Sequence, residues 1–478
     1  MKKIVFYIFM MFVAFASCKD DEITTDPQYK LDYSVDTVSF DTILGGMLSP
    51  YQTLKVFNRS GEKIKISSIN YASSNDYFMV NINGRNSHNV SNIEIADGDS
   101  MFIFVQTNGD NSGSELPFAL LDSISFSYNG NVDYVYLSAL SETPIILDHF
   151  VVSSDTTLSG TRPYLVKDTL KVEEGATLNI DAGVRLYFYN GASLYVDGSL
   201  NCNGEVDNQI EMRYFRNDNV LKDTKYYLAP GNWKGVWLSQ KSGDCKIMST
   251  NIVGAYQCLV VDSAFADRKV VVGNSQIYNA KQGTLVSESS QIYAYNTLFA
   301  NGGYYNVYLQ DGNYLFNHCT IASYLSFNLS DTKPALYLNK KDSISVELNN
   351  SIVCGNNKIK KNNEDKRIDL DNVAHNLNDS IDGKTFRLNI VCSAIGRTDS
   401  LTGENNYGNI WDFESDFYNP KPKNRIDEFY VNFKTDSLSP YRTIGSDAIL
   451  KLYPECATDI FGKNRVDDEF PDAGAFEY

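Results

Sequence analysis

Positive charge is in short supply in this 478-residue chain. Its 42 lysines and arginines face 59 aspartates and glutamates, for a net charge of −17. Such a chain repels phosphate backbones, which excludes nucleic acid as a partner. Polybasic attraction to anionic lipid headgroups is excluded for the same reason. The eight cysteines form no CxxC, so no zinc site is written in the sequence. Tryptophan (3) and histidine (4) are scarce, and the four histidines, His88, His149, His318 and His375, lie far apart. Beyond the first seventeen residues there is no long apolar run, and nowhere is there a sustained helical period. Tyrosine (32) and phenylalanine (26) are plentiful, and with abundant Ser, Asn and Val they favour strands.

The chain opens on Lys2-Lys3, an apolar run over 4–14 and Phe15-Ala16-Ser17 ahead of Cys18. The run is too short to span a bilayer, so 1–17 is expected to be a secretory signal. A cysteine at the cleavage point resembles the lipobox of bacterial lipoproteins, in which Cys18 becomes the lipid-modified first residue. Lys19-Asp20-Asp21-Glu22 is similar to the surface-export signal of some Gram-negative lipoproteins. The resemblance implies an outer-membrane, lipid-anchored protein facing the cell exterior, with membrane contact through acyl chains only. Residues 18–29 read as a flexible tether. Seven cysteines remain: Cys202, Cys245, Cys258, Cys319, Cys354, Cys392 and Cys456. An odd number cannot all pair within one chain. Most are expected to be buried thiols, with one or two disulfides compatible with a site outside the cytoplasm.

Residues 30–143 read as about seven short strands separated by turn pairs: Ser60-Gly61, Asn83-Gly84, Asp97-Gly98 and Asn129-Gly130. That size and rhythm predict an immunoglobulin-like β-sandwich. Phe40-Asp41-Thr42, Leu54-Lys55-Val56-Phe57-Asn58, Asp97-Gly98-Asp99-Ser100 and Ser123-Ile124-Ser125-Phe126, in that order, resemble the Hydin-like (ASH-type) domains of secreted bacterial proteins.

From about 164, very short apolar strands alternate with Gly or Asp turns. Five segments then end on Ile252, Ile277, Leu298, Ile321 and Ile352, with spacings of 25, 21, 23 and 31. Small polar residues precede each inward aliphatic. This repeat predicts a right-handed parallel β-helix over 144–478, with corner asparagines stacked from coil to coil. Gly175-Ala-Thr-Leu-Asn-Ile, Gly191-Ala-Ser-Leu-Tyr-Val and Asn232-Trp233-Lys234-Gly235-Val236-Trp237-Leu238 resemble coils of the pectate-lyase-like superfamily. The ending, Asp459-Ile-Phe-Gly462 through Pro471-Asp472-Ala-Gly474-Ala475-Phe476-Glu477-Tyr478, is similar to that of choice-of-anchor Q surface proteins. Polar excursions are expected at 355–382 and 397–424. The fold class is therefore all-β: a sandwich followed by a solenoid.

Enzymes of this fold that cut acidic glycans carry a Lys or Arg base beside calcium-binding carboxylates, or paired Asp on adjacent coils. Polygalacturonase-type enzymes carry Gly-His-Gly and Arg-Ile-Lys, and neither occurs here. Asp244, Asp262, Asp267 and Asp311 read as turn residues, and His318 reads as core. Sugars stack on flat apolar faces, so Trp233, Tyr304, Tyr305 and Trp411 are the candidate glycan-binding residues. Trp237 and Tyr308 are expected to pack inward or between domains. These features favour a non-enzymatic surface binding or adhesion module with glycan as its partner, and with no cofactor or metal. The alternatives are a polysaccharide lyase or glycoside hydrolase acting on acidic polysaccharide, and a structural cell-surface protein.

Overall fold

A computed structural model describes residues 22–71, 76–110, 113–221, 224–263, 269–324, 334–355, 373–376, 386–391, 393–395, 406–407, 409–411, 417–419, 432–435, 437, 439, 442–467 and 470–478. The two expected excursions lie for the most part outside them, as do Cys18, Lys19, Asp20, Asp21 and Cys392. Glu22 is exposed. The chain divides into two compact units, Met1–Thr143 and Pro144–Tyr478.

The first unit is an immunoglobulin-like pair of sheets. One has six strands, including Lys63–Tyr71, Phe118–Tyr128, Asn131–Glu142 and Thr37–Leu44; the other has five, including Gln52–Asn58, Ser100–Thr107 and Phe78–Ile82. Alternation decides what each strand buries. Leu54 and Val56 face the core while Thr53 and Lys55 face out. Leu54, Val56, Ile64, Ile66, Ile103, Ile124 and Val135 meet in one apolar core. Two hairpins close through two-residue turns, with Tyr128 paired to Asn131 and Ile82 to Arg85. Both turn residues have positive φ in each, 43° and 74° for Asn129-Gly130 and 48° and 81° for Asn83-Gly84. Asn-Gly is the dipeptide that takes this conformation most readily.

The second unit is the parallel β-helix that the repeat predicts. Its first face is an 11-stranded parallel sheet running from Ile145–Leu147 to Ile410–Trp411. A 16-stranded sheet forms the other two faces. In the early coils these faces use separate strands, such as Ser193–Val196 and Ser199–Asn203. From Leu285–Tyr295 onward one strand crosses both, bending at Ser289 (φ 42°) and Asp311 (φ 47°). Leu170, Leu194, Val236, Leu259, Leu285, Val307 and Leu336 register one above another, all fully buried. No single coil could bury such residues alone; the stack does.

The corner leading into the first face explains the polar residues seen in the sequence. Ser249, Asn274, Asn296, His318 and Asn350 all adopt left-handed φ, between 43° and 50°. Asn296 Nδ2 donates to Asn274 Oδ1 at 3.1 Å, and Asn350 Nδ2 donates to His318 Nε2 at 2.9 Å. The next residue in each coil builds a second ladder. Ser351 Oγ accepts from Cys319 N at 3.1 Å and donates to Asn349 O at 2.8 Å; Ser393 Oγ accepts from Ser351 N at 2.9 Å. These hydroxyls satisfy backbone groups that the sharp corner strands away from the sheet ladder. Ser351→Ala leaves the buried Cys319 N–H without its acceptor, at a cost of about 1–3 kcal/mol. A urea midpoint unchanged from the parent would contradict this.

The C-terminal segment is sewn to the same corner. Ser446 N donates to Asn350 Oδ1 at 2.9 Å, Asn296 Nδ2 to Thr458 O at 2.7 Å, and Gly474 N to Asn350 O at 2.8 Å. Arg465, fully buried, donates to Glu477 Oε2 at 2.8 Å and to Gly474 O at 2.9 Å. Asp472 and Asp459 are also buried, and their carboxylates accept backbone N–H groups from Thr443, Tyr478, Phe461, Lys463 and Glu477.

Candidate functional site

On the second face, strand alternation turns one residue per coil outward in a single column. Inward Leu194 and Val196 leave Tyr195 outside, and inward Val236 and Leu238 leave Trp237 outside. Register then aligns Lys171, Tyr195, Trp237, Val260, Val286, Tyr308 and Tyr337 on successive coils. The result is an aromatic and aliphatic stripe along the stack. Trp237 is 39% exposed. Its indole Nε1 donates to Asp262 on the next coil at 2.7 Å, and its ring lies 6.4 Å from that of Tyr195 on the coil before. These two contacts hold the indole along the stack. Tyr308 and Tyr337 stack at 5.7 Å and 9°.

A polar column runs beside the stripe, two residues on from each stripe residue: Asp197, Ser239, Asp262, Glu288, Gln310 and Asn339. It is hydrogen-bonded within itself and to the stripe. Ser239 Oγ donates to Asp197 at 2.6 Å, and Asn339 Nδ2 donates to Tyr308 Oη at 2.7 Å and to Gln310 Oε1 at 3.0 Å. Lys171 lies 3.5 Å from Asp197. Burial pushes the Tyr308 hydroxyl above the usual phenol range, the Asn339 contact opposing, so it stays protonated at neutral pH.

The predicted residues fall on both sides of the line. Tyr304 and Tyr305 sit at the corner entering the second face and adjoin the stripe, the Tyr305 ring being 5.3 Å from Tyr308 and 5.1 Å from Tyr337. Tyr304 is exposed. Trp233 is not a platform. It is 1% exposed, stacked on Phe188 at 4.0 Å, with its Nε1 donating to Val253 O at 2.9 Å. It lies at the corner, where a large ring fills the interior between faces. Trp237, expected inside, takes the outward role instead. The Trp411 side chain lies outside the described residues. Tyr195 and Tyr337 were not singled out from the sequence. Their only signal is register, which spacing does not reveal where loop lengths vary.

Asp244, Asp311 and His318, singled out from the sequence, are structural. Asp244 accepts from Lys269 N at 2.8 Å, and Asp311 accepts from Lys341 N and Asp342 N, as turn residues do. Asp267 lies outside the described residues. His318 is fully buried; burial, with Arg465 nearby, holds it well below the usual imidazole range. Cys202, Cys245, Cys258, Cys319, Cys354 and Cys456 are all buried. Burial pushes the Cys202, Cys258 and Cys354 thiols up to about 12, so none is a ready thiolate. Among the described residues no cluster of three or more His, Cys, Asp or Glu could hold a metal ion.

No family model matches the chain, and no curated protein matches it. Solved structures give partial likenesses. A protein of unknown function from Porphyromonas gingivalis W83 is 14% identical with a TM-score of 0.18, covering 26% of this chain and 50% of that one. The chain thus spans about half the length of that protein. The ASH/PapD-like domain of human CEP192 is 10% identical with a TM-score of 0.17, covering 26% and 93%. The Vibrio cholerae VesB protease is 15% identical with a TM-score of 0.18, covering 25% and 33%. At these scores the likenesses decide nothing about activity.

Proposed function

We propose that this chain is a lipid-anchored outer-surface protein that binds glycan without cleaving it. The observation that carries the reading is the outward stripe of Tyr195, Trp237, Tyr308 and Tyr337 beside a column of carboxylates and amides. Flat apolar faces for sugar rings, flanked by acceptors and donors for sugar hydroxyls, are what a glycan surface requires. The sandwich, of Hydin-like type, is the spacer; the solenoid, of pectate-lyase-like and choice-of-anchor Q type, is the binding body. In affinity electrophoresis through polysaccharide gels, Trp237→Ala is expected to weaken retention about tenfold, equivalent to about 1.4 kcal/mol. No retention by any host, plant or microbial polysaccharide would sink the reading.

Anchorage rests on the sequence around Cys18. Cys18→Ser is expected to abolish incorporation of radiolabelled palmitate and move the protein to the soluble fraction. Label retained by the variant would contradict the anchor.

A second reading, glycoside hydrolysis, draws on Asp262 and Glu288, which follow one another on adjacent coils. Release of reducing ends from a bound glycan, lost in Glu288→Gln, would favour it over pure binding.

A further inference from the structure

We infer that the glycan taken by this stripe is an uncharged chain lying along the solenoid axis, one ring to each coil. The inference rests on the binding reading above and adds the class and direction of the ligand.

Charge comes first. The polar column carries Asp197, Asp262 and Glu288, Glu173 continues it on the coil before Asp197, and among these described residues there is no lysine or arginine. The one cation of the stripe column, Lys171, is already beside Asp197 at 3.5 Å. Lys281 borders the opposite side of the stripe, at the corner, with its ammonium 5.6 Å from the Tyr256 ring. A polyuronate on the stripe would bring one carboxylate per ring alongside this acidic column. Like charges a few ångströms apart repel by enough to lose about tenfold in affinity per contact. An uncharged sugar meets the same groups as acceptors, since a carboxylate takes hydroxyl donors in charge-assisted bonds. Half-buried Asn339 adds an amide with both donor and acceptor, held by buried Gln310 behind it.

Geometry comes second. Tyr195, Trp237, Val260, Val286, Tyr308 and Tyr337 are on six successive coils. Neighbouring strands lie about 4.8 Å apart, close to the advance of one pyranose ring in an extended chain. Aromatic platforms occupy both ends; between them Val286 is half-buried and Val260 buried, so the middle of the stripe is apolar with no projecting ring and a sugar ring there touches little of Val260. A chain laid across the strands therefore meets one rung per ring. A chain laid along a strand meets alternating inward and outward residues and leaves the stripe after one contact.

The test is affinity electrophoresis of the full chain through gels of uncharged polysaccharides (hydroxyethyl cellulose, galactomannan, yeast mannan, dextran) and acidic ones (polygalacturonate, alginate, hyaluronate). Trp237→Ala and the double variant Asp262→Asn with Glu288→Gln are run beside the parent. The expected result is retention by at least one uncharged gel and by no acidic gel. Retention falls about tenfold in Trp237→Ala, and polygalacturonate retention appears or rises in the double variant. Oligosaccharides of the retained polymer should then compete with strength rising up to about six rings and no further. Retention by an acidic gel at least as strong as by any uncharged one, lost in Trp237→Ala, overturns the inference and leaves the binding reading standing. Retention by no gel, or retention indifferent to Trp237→Ala, overturns both. Competition that saturates at a single sugar overturns the axial alignment.

Discussion

Gly235→Ala is expected to cost on the order of 4 kcal/mol, the sum of a strained backbone and a forced contact. Gly235 has φ 116°, a conformation that L side chains rarely adopt, and a β-carbon there would lie 1.6 Å from the Gln257 carbonyl oxygen of the next coil. Neither partner can yield, because both belong to the backbone of adjacent rungs. Gly191 supplies the control. Its φ of 75° is also left-handed, but nothing lies within 4 Å of an added β-carbon, so Gly191→Ala should lose only about 1–2 kcal/mol. The comparison is read from urea midpoints. Equal losses at the two positions would show that the close approach of coils at Gly235 does not matter.

The second large effect is at the buried ion pair of the C-terminal segment. Arg465 and Glu477 have side chains 0% and 1% exposed. Removing one member of such a pair costs about 3–5 kcal/mol, because the other is left charged and dry. Arg465→Met is therefore expected to unfold the segment from the corner ladder. Two further carboxylates, of Asp472 and Asp459, are buried nearby; Arg465 pairs with Glu477, while Arg442 lies 4.0 Å from Asp472. Burial, aided by Asp472 and opposed by Arg465, pushes the Glu477 carboxyl up to about 7. Its Oε1 has no hydrogen-bond partner among the described residues, which leaves a place for the proton. A carboxyl raised on folding is a net gain below its unfolded value, and that gain is lost as pH climbs through the folded value. Stability of the parent should therefore fall between pH 5 and pH 8, by on the order of 2 kcal/mol, and Glu477→Gln should flatten the slope. In Arg465→Met the loss should be larger at pH 8 than at pH 5, since protonation relieves the stranded carboxylate. Thermal melts at the two pH values check this; a loss independent of pH would contradict it.

Much of the fold is legible in the sequence because it is enforced locally. The left-handed corners at Ser249, Asn274, Asn296 and Asn350 need residues that tolerate positive φ, and such residues stand just ahead of Ile252, Ile277, Leu298 and Ile352. The hairpins of the first unit are legible for the same reason, through Asn83-Gly84 and Asn129-Gly130. The outward stripe is a different matter. Tyr195 and Trp237 are neighbours on the column and Tyr308 lies three coils further on, with 42 and 71 positions between them in the chain. Their alignment depends on loops of unequal length, so no fixed period betrays it. The exchange of roles between Trp233 and Trp237 has the same root. Both sit in one seven-residue motif, and only the location of the corner decides which ring turns inward.

The constant layout of the coils sets how such a protein can grow. From Asn274 to Asn296, and from Asn279 to Asn301, one full turn takes 22 residues and returns the backbone to the same conformation. An in-frame duplication of that unit would add a rung to every ladder and lengthen the solenoid by one step. The length of the stack is then a quantity that recombination can adjust in whole steps, while point mutation adjusts which side chains each step presents.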